Sequence, residues 1–185
     1  MRYNPENHHR RSIRIPEYDY SQEGMYYVTI CTWNRECIFG KVENSGMKLS
    51  PIGEIIYHEW YNIPNHFKNI ELDTFIIMPN HLHGIIIVGA PLVGALDNPI
   101  TQNTRAGTSP APTLGAIIGS FKSLCVYRCR NKRVDISKLW QRNYFEHIIR
   151  NEDELNRICE YIIYNPSRWM EDEDNPANIK NRTTR

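Results

Sequence analysis

Met78-Pro79-Asn80-His81-Leu82-His83-Gly84, running straight into Ile85-Ile86-Ile87-Val88, is the stretch on which the reading of this chain turns. The near-continuous apolar character of Ile85 to Val88 suits a central strand covered on both faces. If the strand begins at His81, alternate side chains share a face, so His81 and His83 point one way and Leu82 the other. Two imidazoles then converge on one point. Neutral imidazole is the commonest protein ligand for a metal ion, and a sheet holds such a pair with little freedom. The same spacing also occurs as two polar residues at the wet end of a sheet, so the pair needs a second group before it makes a site.

Leu72 to Met78, on the other side of the Pro79-Asn80 turn, reads as the preceding strand. Met25 to Trp33, rich in aromatic and β-branched residues, reads as the first strand of the chain. Between them Ser50-Pro51 is a helix start, with the hydroxyl as N-cap and proline at the first helical position. Ile52, Ile55, Ile56, Trp60 and Ile63 follow at helical spacing as one apolar stripe. From Gly89 to Pro112 the composition shifts to Gly, Pro, Thr, Ser and Ala, a long flexible loop of the kind that is either functional or disordered. Thr113 opens a helix with the stripe Leu114, Ile117, Ile118, Phe121 and Cys125, ending in the basic block Lys122, Arg128, Arg130, Lys132 and Arg133. A fourth strand falls around Tyr144 to Ile149. Asn151 with Glu154 three residues on resembles a capping box and starts a last helix, striped by Leu155, Ile158, Cys159, Ile162 and Ile163. That helix stops at Asn165-Pro166, because proline disfavours helical geometry for the residue before it. The order is strand, helix, strand, strand, helix, strand, helix. The expected fold class is therefore α+β: a ferredoxin-like βαββαβ antiparallel sheet with helices on one face, plus a C-terminal helix.

At 185 residues the chain fits one domain, 1–185, with a basic arm over 1–24, the 89–112 loop and a polar tail over 170–185. Apolar residues make up 41% and charged residues 23%, a balance that excludes a disordered chain. No apolar run is long enough to cross a bilayer, and the N-terminus lacks the apolar segment of a signal peptide, so a cytoplasmic protein is expected. The cysteines, odd in number and without a Cys-x-x-Cys pair, indicate neither a disulfide framework nor a zinc knuckle; buried small hydrophobes are the expected role. The net charge of +1 averages the basic segments against the acidic run Glu171 to Asp174. Such segregation is compatible with nucleic acid without requiring it.

The last helix supplies the second group. Each helical residue advances about 100°, so the apolar stripe fixes where the others point. Tyr161 falls off the stripe, Asn165 lies one turn on along the same flank, and Arg157 one turn behind, where it would place a cation beside a bound anion. Separately, Tyr161 reads as an exposed helix tyrosine and Asn165 as a helix-terminal residue. Together with the histidine pair they form a more specific constellation. His147 shares a strand face with Phe145 and Ile149 and fits a structural histidine better than a catalytic one.

These residues carry a resemblance. The chain resembles the single-tyrosine HUH transposases of the insertion-sequence type, and among them the REP-associated tyrosine transposases. The matching motifs are Tyr18-Asp19-Tyr20, Val28-Thr29-Ile30-Cys31-Thr32, Asn34-Arg35, the Met78 to Gly84 run with Leu82 as its hydrophobic middle, Trp140-Gln141-Arg142, Glu146-His147-Ile148-Ile149-Arg150, and Tyr161-Ile162 followed by Asn165-Pro166. They span roughly residues 12 to 170. The resemblance implies a transposase-like strand-transfer nuclease acting on single-stranded DNA that bears hairpins, such as a repeated palindromic element. It implies a divalent metal, Mg²⁺ or Mn²⁺, held by His81 and His83, with Asn165 where the family's third polar ligand lies. It implies Tyr161 as the nucleophile of a 5′-phosphotyrosine intermediate, and it leaves a homodimer open. Phosphate contacts are expected from Arg10, Arg11 and Arg14, from Lys122, Arg128 and Arg130, from Asn34 and Arg35, and from Arg157. Two other classes compete: a noncatalytic or domesticated single-stranded DNA or RNA binding protein, since ferredoxin-like sheets display aromatics to bases, and a rolling-circle initiator or relaxase with the same chemistry.

Overall fold

The structure is a computed structural model describing residues 23–89, 112–134 and 136–178. Most of the 1–24 arm, with Arg10, Arg11, Arg14 and Tyr18-Asp19-Tyr20, nearly all of the 89–112 loop, and the end of the 170–185 tail lie outside the described residues.

In chain order the elements are β1 (Gly24–Cys31), the hairpin β2 (Gly40–Glu43) and β3 (Gly46–Leu49), α1 (Pro51–Tyr61), a short α2 (Ile63–His66), β4 (Ile70–Ile77), β5 (His81–Val88), α3 (Leu114–Asn131), β6 (Phe145–Ile149) and α4 (Glu152–Tyr164). The main sheet has the order β4-β5-β1-β6 with every neighbouring pair antiparallel. Counting β1, β4, β5 and β6 as the four strands of the βαββαβ unit, this is the ferredoxin-like order. Three residues, Met78 to Asn80, join β4 to β5 as a tight connection, whereas β1 reaches β4 through the α1 crossover.

The helix starts obey their capping residues. Ser50 Oγ accepts from Gly53 N (3.1 Å), Thr113 Oγ1 from Ala116 N (3.2 Å) and Asn151 Oδ1 from Glu154 N (2.9 Å). At α4 the expected capping box is modified. Glu154 accepts instead from Arg150 N (2.8 Å) with one oxygen and meets His147 Nε2 (2.7 Å) with the other.

Period-two alternation splits the sheet into two faces. Tyr26, Val28, Ile30, Leu82 and Ile86 pack against Trp60, Leu114, Ile117 and Phe121 of α1 and α3. The opposite face buries Ile85 and Ile149 beneath Ile162, Leu155 and Ile158 of α4. Covered on both sides, β5 tolerates an unbroken aliphatic run, each fully buried side chain of which contributes roughly 1.5–3 kcal/mol. Gly84 sits on the α1 face, where a Cβ would overlap the Trp60 indole. A Gly84→Ala chain is accordingly expected to lose about 1–3 kcal/mol to overpacking, visible as a lower urea midpoint; an unchanged midpoint would mean that Trp60 can withdraw freely.

The structure differs from the sequence expectations in several places. Trp33 leaves the first strand and enters a 3₁₀ turn, Trp33–Arg35. The β2–β3 hairpin has strands too short for periodicity to reveal; its two-residue turn is Asn44-Ser45, both at positive φ (51° and 60°), the geometry that matches strand twist. Cys37 is exposed and Cys159 only half-buried, so the small-hydrophobe role holds for Cys31, Cys125 and Cys129. The polar tail needs correction too. A 3₁₀ segment, Pro166–Glu171, turns the chain back after α4, and Asn175 is buried with its Nδ2 donating to Trp169 O (2.8 Å). The chain after this segment thereby brings Asp172 and Asp174 beside His81 at the start of β5. Among the described residues no helix is long and apolar enough to cross a membrane.

Candidate active site

The antiparallel register sets Thr29 opposite His83 and Cys31 opposite His81, on the face that α4 covers. Both imidazoles are buried, and their Nε2 atoms lie 3.0 Å apart. Asn80 controls the first ring. Its Nδ2 donates to the carbonyls of Arg35 (3.1 Å) and Asp174 (2.7 Å), which leaves Oδ1 as the atom facing His81 Nδ1 at 2.8 Å. An acceptor in that position requires a proton on Nδ1, so the Nε2 lone pair of His81 points into the site. For the second ring, Thr29 donates its hydroxyl proton to the Tyr27 oxygen (3.2 Å), and its own oxygen lies 2.8 Å from His83 Nδ1. The Tyr27 oxygen is 2.7 Å from the same nitrogen. His83 Nδ1 can then accept the Tyr27 hydroxyl proton while His83 Nε2–H donates to the His81 Nε2 lone pair, a proton that a shared cation would displace to take both Nε2 lone pairs.

Burial, reinforced by the nearby Arg35 guanidinium, lowers the His81 pKa to about 3. Burial, with His81 beside it, holds His83 well below the usual imidazole range. Both rings are thus neutral and ready to ligate. In the unfolded chain they titrate near pH 6.5. Below that pH the unfolded state takes up protons that the folded state refuses, so stability falls as pH drops from about 6.5 toward about 3, by up to about 1.4 kcal/mol per pH unit for each ring. Urea midpoints of metal-free protein at pH 7, 6 and 5 should show this decline, and His81→Gln should reduce its slope; an equal slope in that variant would contradict the assignment.

Carboxylates complete the cluster. Asp172 Oδ2 lies 3.9 Å and Asp174 Oδ2 3.8 Å from His81 nitrogens, and Asp174 is ion-paired to Arg35. Burial raises the Asp172 pKa, partly offset by the hydrogen bond from Asp174 N–H (2.6 Å), and a cation would relieve the remaining strain. Ligand atoms of His81, His83 and Asp172 lie within 4.8 Å of one another. Asn165 is buried in the same pocket, with Oδ1 lacking any hydrogen-bond partner. Two neutral imidazoles, one carboxylate and a spare amide oxygen are a donor set that fits a divalent ion.

Tyr161 stands over this cluster, with its oxygen 3.5 Å from His83 Nε2 and its ring 5.2 Å from the His83 ring. The residue is 44% exposed, so a substrate can reach it. Burial of the phenol and the neighbouring Asp172 raise its pKa, while a hydrogen bond from Asn165 partly offsets the rise. A cavity of about 560 Å³ opens in front of it.

Of the expected phosphate-binding residues, Arg35 lines this cavity. Asn34 is exposed on the 3₁₀ turn at φ +53°. Lys122 points elsewhere, donating to the carbonyls of Gln141 (2.9 Å) and Asn143 (3.0 Å). Arg128 pairs with Glu59 (2.9 Å) on the α1 side of the sheet, and Arg130 is exposed in the last turn of α3. Arg157 bonds back to Asp153 O (3.2 Å) and is absent from the cavity wall. The exposed Arg168 lines the wall instead. His147 is engaged with Glu154 (2.7 Å). Asn80, Thr29 and Tyr27 escaped sequence reasoning, although strand register from the His-Leu-His stretch could have found Thr29. Nothing local marks Asp172 or Arg168.

No family model matches the chain. An uncharacterized protein of Haemophilus influenzae is 44% identical over 176 residues, covering 93% of this chain and 96% of that one. A solved structure of a REP-associated tyrosine transposase bound to a REP hairpin superposes with a TM-score of 0.56 at 17% identity, over 84% of this chain and 74% of that one. At that identity the likeness is one of fold.

Proposed function

Because the chain belongs to one family with the Haemophilus influenzae protein and has the fold of the REP-associated tyrosine transposase, we propose that it is a metal-dependent tyrosine transposase. It would cleave and rejoin single-stranded, hairpin-bearing DNA through a 5′-phosphotyrosine linkage. The observation that carries this reading is the Tyr161 oxygen, 3.5 Å from His83 Nε2 at the point where two neutral imidazoles converge.

His81, His83 and Asp172 would hold the ion, Mg²⁺ or Mn²⁺, with Asn165 beside them. When bound, such an ion supplies positive charge against the nonbridging phosphate oxygens and favours in-line attack. The remaining work falls to side chains. The Tyr161 oxygen attacks phosphorus, a new P–O bond forms, and the bond to the 3′-oxygen breaks to leave a free 3′-hydroxyl. The phenol must shed its proton as it attacks, and the Asn165 hydrogen bond favours the deprotonated form. Arg35 and Arg168, both on the cavity wall, would meet flanking phosphates. Because the linkage keeps the phosphodiester energy, a 3′-hydroxyl can reverse the step and join strands without ATP. The setting we infer is cytoplasmic, on DNA rather than on a membrane, with a homodimer as the possible assembly. Arg10, Arg11, Arg14 and Asn34 would add DNA contacts.

Incubating the chain with hairpin-bearing single-stranded DNA and Mg²⁺ or Mn²⁺ should give a covalent protein–DNA band on a denaturing gel, abolished by a chelator. No band across a broad set of hairpin sequences would defeat the proposal.

A further inference from the structure

The cavity continues past the reactive cluster along residues 141–145, where Gln141, Asn143 and Phe145 line it. This segment is held hard from behind. Gln141 N donates to Cys31 O (3.0 Å), Trp140 bridges to Thr32, and the Trp140 indole donates to Lys122 O (3.2 Å). The Lys122 ammonium then binds the carbonyls of both Gln141 and Asn143. Burial lowers the Lys122 pKa to about 8, so keeping a cation there has a cost that the fold bears to fix this backbone.

The side chains that this rigid backbone presents are unspent. Neither the Gln141 nor the Asn143 amide has a hydrogen-bond partner among the described residues. The Phe145 ring, 45% exposed, meets Tyr27 edge-on at 6.2 Å, and Tyr27 in turn meets the Tyr161 ring at 6.5 Å. An exposed ring with two free amides on a preorganised segment is the chemistry that reads an unpaired base, by stacking on its face and hydrogen bonding to its edge. The volume of about 560 Å³ is in the range of cavities that enclose a small organic ligand, and far more than a phosphate requires.

We propose that Gln141, Asn143 and Phe145 form a base-recognition subsite for the unpaired base next to the phosphate attacked by Tyr161. Phe145 stacks on the base, the two amides select it, and Lys122 acts behind them as a positioning residue. This rests on the transposase reading above, but its test does not depend on cleavage. Single-stranded oligonucleotides carrying 2-aminopurine at successive positions beside a hairpin are titrated with the full chain in the absence of metal. One position should show several-fold fluorescence quenching. Phe145→Ala should abolish that quenching with an unchanged circular dichroism spectrum, Phe145→Trp should restore it, and Gln141→Ala should keep the quenching while flattening the preference among the four bases. Equal quenching at all positions, or the native profile in Phe145→Ala, would overturn the subsite. A chain that quenches at one position yet gives no covalent band with metal would keep the subsite and remove the nuclease.

Discussion

A Tyr161→Phe chain is expected to bind hairpin-bearing single-stranded DNA about as well as the native chain and to form no covalent adduct with it. The substitution removes one oxygen and keeps the ring that packs edge-on against His83 and Tyr27. Tyr161 is partly exposed, and its oxygen approaches His83 Nε2 only at 3.5 Å, so the fold has little invested in that hydroxyl. The chemistry has everything invested in it, since without the oxygen no phosphotyrosine bond can form. Loss of the adduct should therefore be complete, with urea stability shifted by less than about 1 kcal/mol. Tyr27 is the nearest substitute nucleophile, but burial holds its pKa above the ordinary tyrosine value and Thr29 and His83 occupy its oxygen. An adduct that survived Tyr161→Phe would move the nucleophile away from α4.

The second large effect concerns the ion. His81→Ala should reduce both Mn²⁺ affinity and cleavage by about 10²–10³-fold, the order expected when one preorganised electrostatic partner is removed from a water-poor site. The third partner separates the sequence expectation, Asn165, from the grouping seen in the structure, Asp172. A carboxylate brings negative charge that an amide lacks, and the Asp172 side chain, 8% exposed, sits beside two neutral rings with no guanidinium paired to it among the described residues, Arg35 being paired to Asp174. Asp172→Ala is accordingly expected to weaken Mn²⁺ binding at least about tenfold more than Asn165→Ala, as measured by calorimetry on the full chain. The reverse order would return the third position to the amide. Either outcome can be checked without DNA, because an ion that binds only the folded state raises stability by about 2.7 kcal/mol at a hundredfold excess over its dissociation constant.

Local periodicity determined a large part of this protein. Alternation along His81-Leu82-His83 put both imidazoles on one face, the unbroken Ile85 to Val88 run required cover on both sides of β5, and the apolar stripe of α4 set Tyr161 and Asn165 on one flank. Ser50, Thr113 and Asn151 marked their helix starts because capping is a bond to a backbone group three residues away. All of these depend on neighbours within a turn or a strand. The relation of one element to another was decided only in three dimensions. Tyr161 meets His83 across 78 residues and Asn80 meets Asp174 across 94, and no repeat of 2 or 3.6 carries information over such distances. For the same reason the acidic run read as part of a polar tail came to lie beside the histidine pair, and Lys122, read as a phosphate contact, became the half-buried clamp of a loop. A charged side chain reports its charge in the sequence, but its partner is chosen by the packing that brings distant segments together.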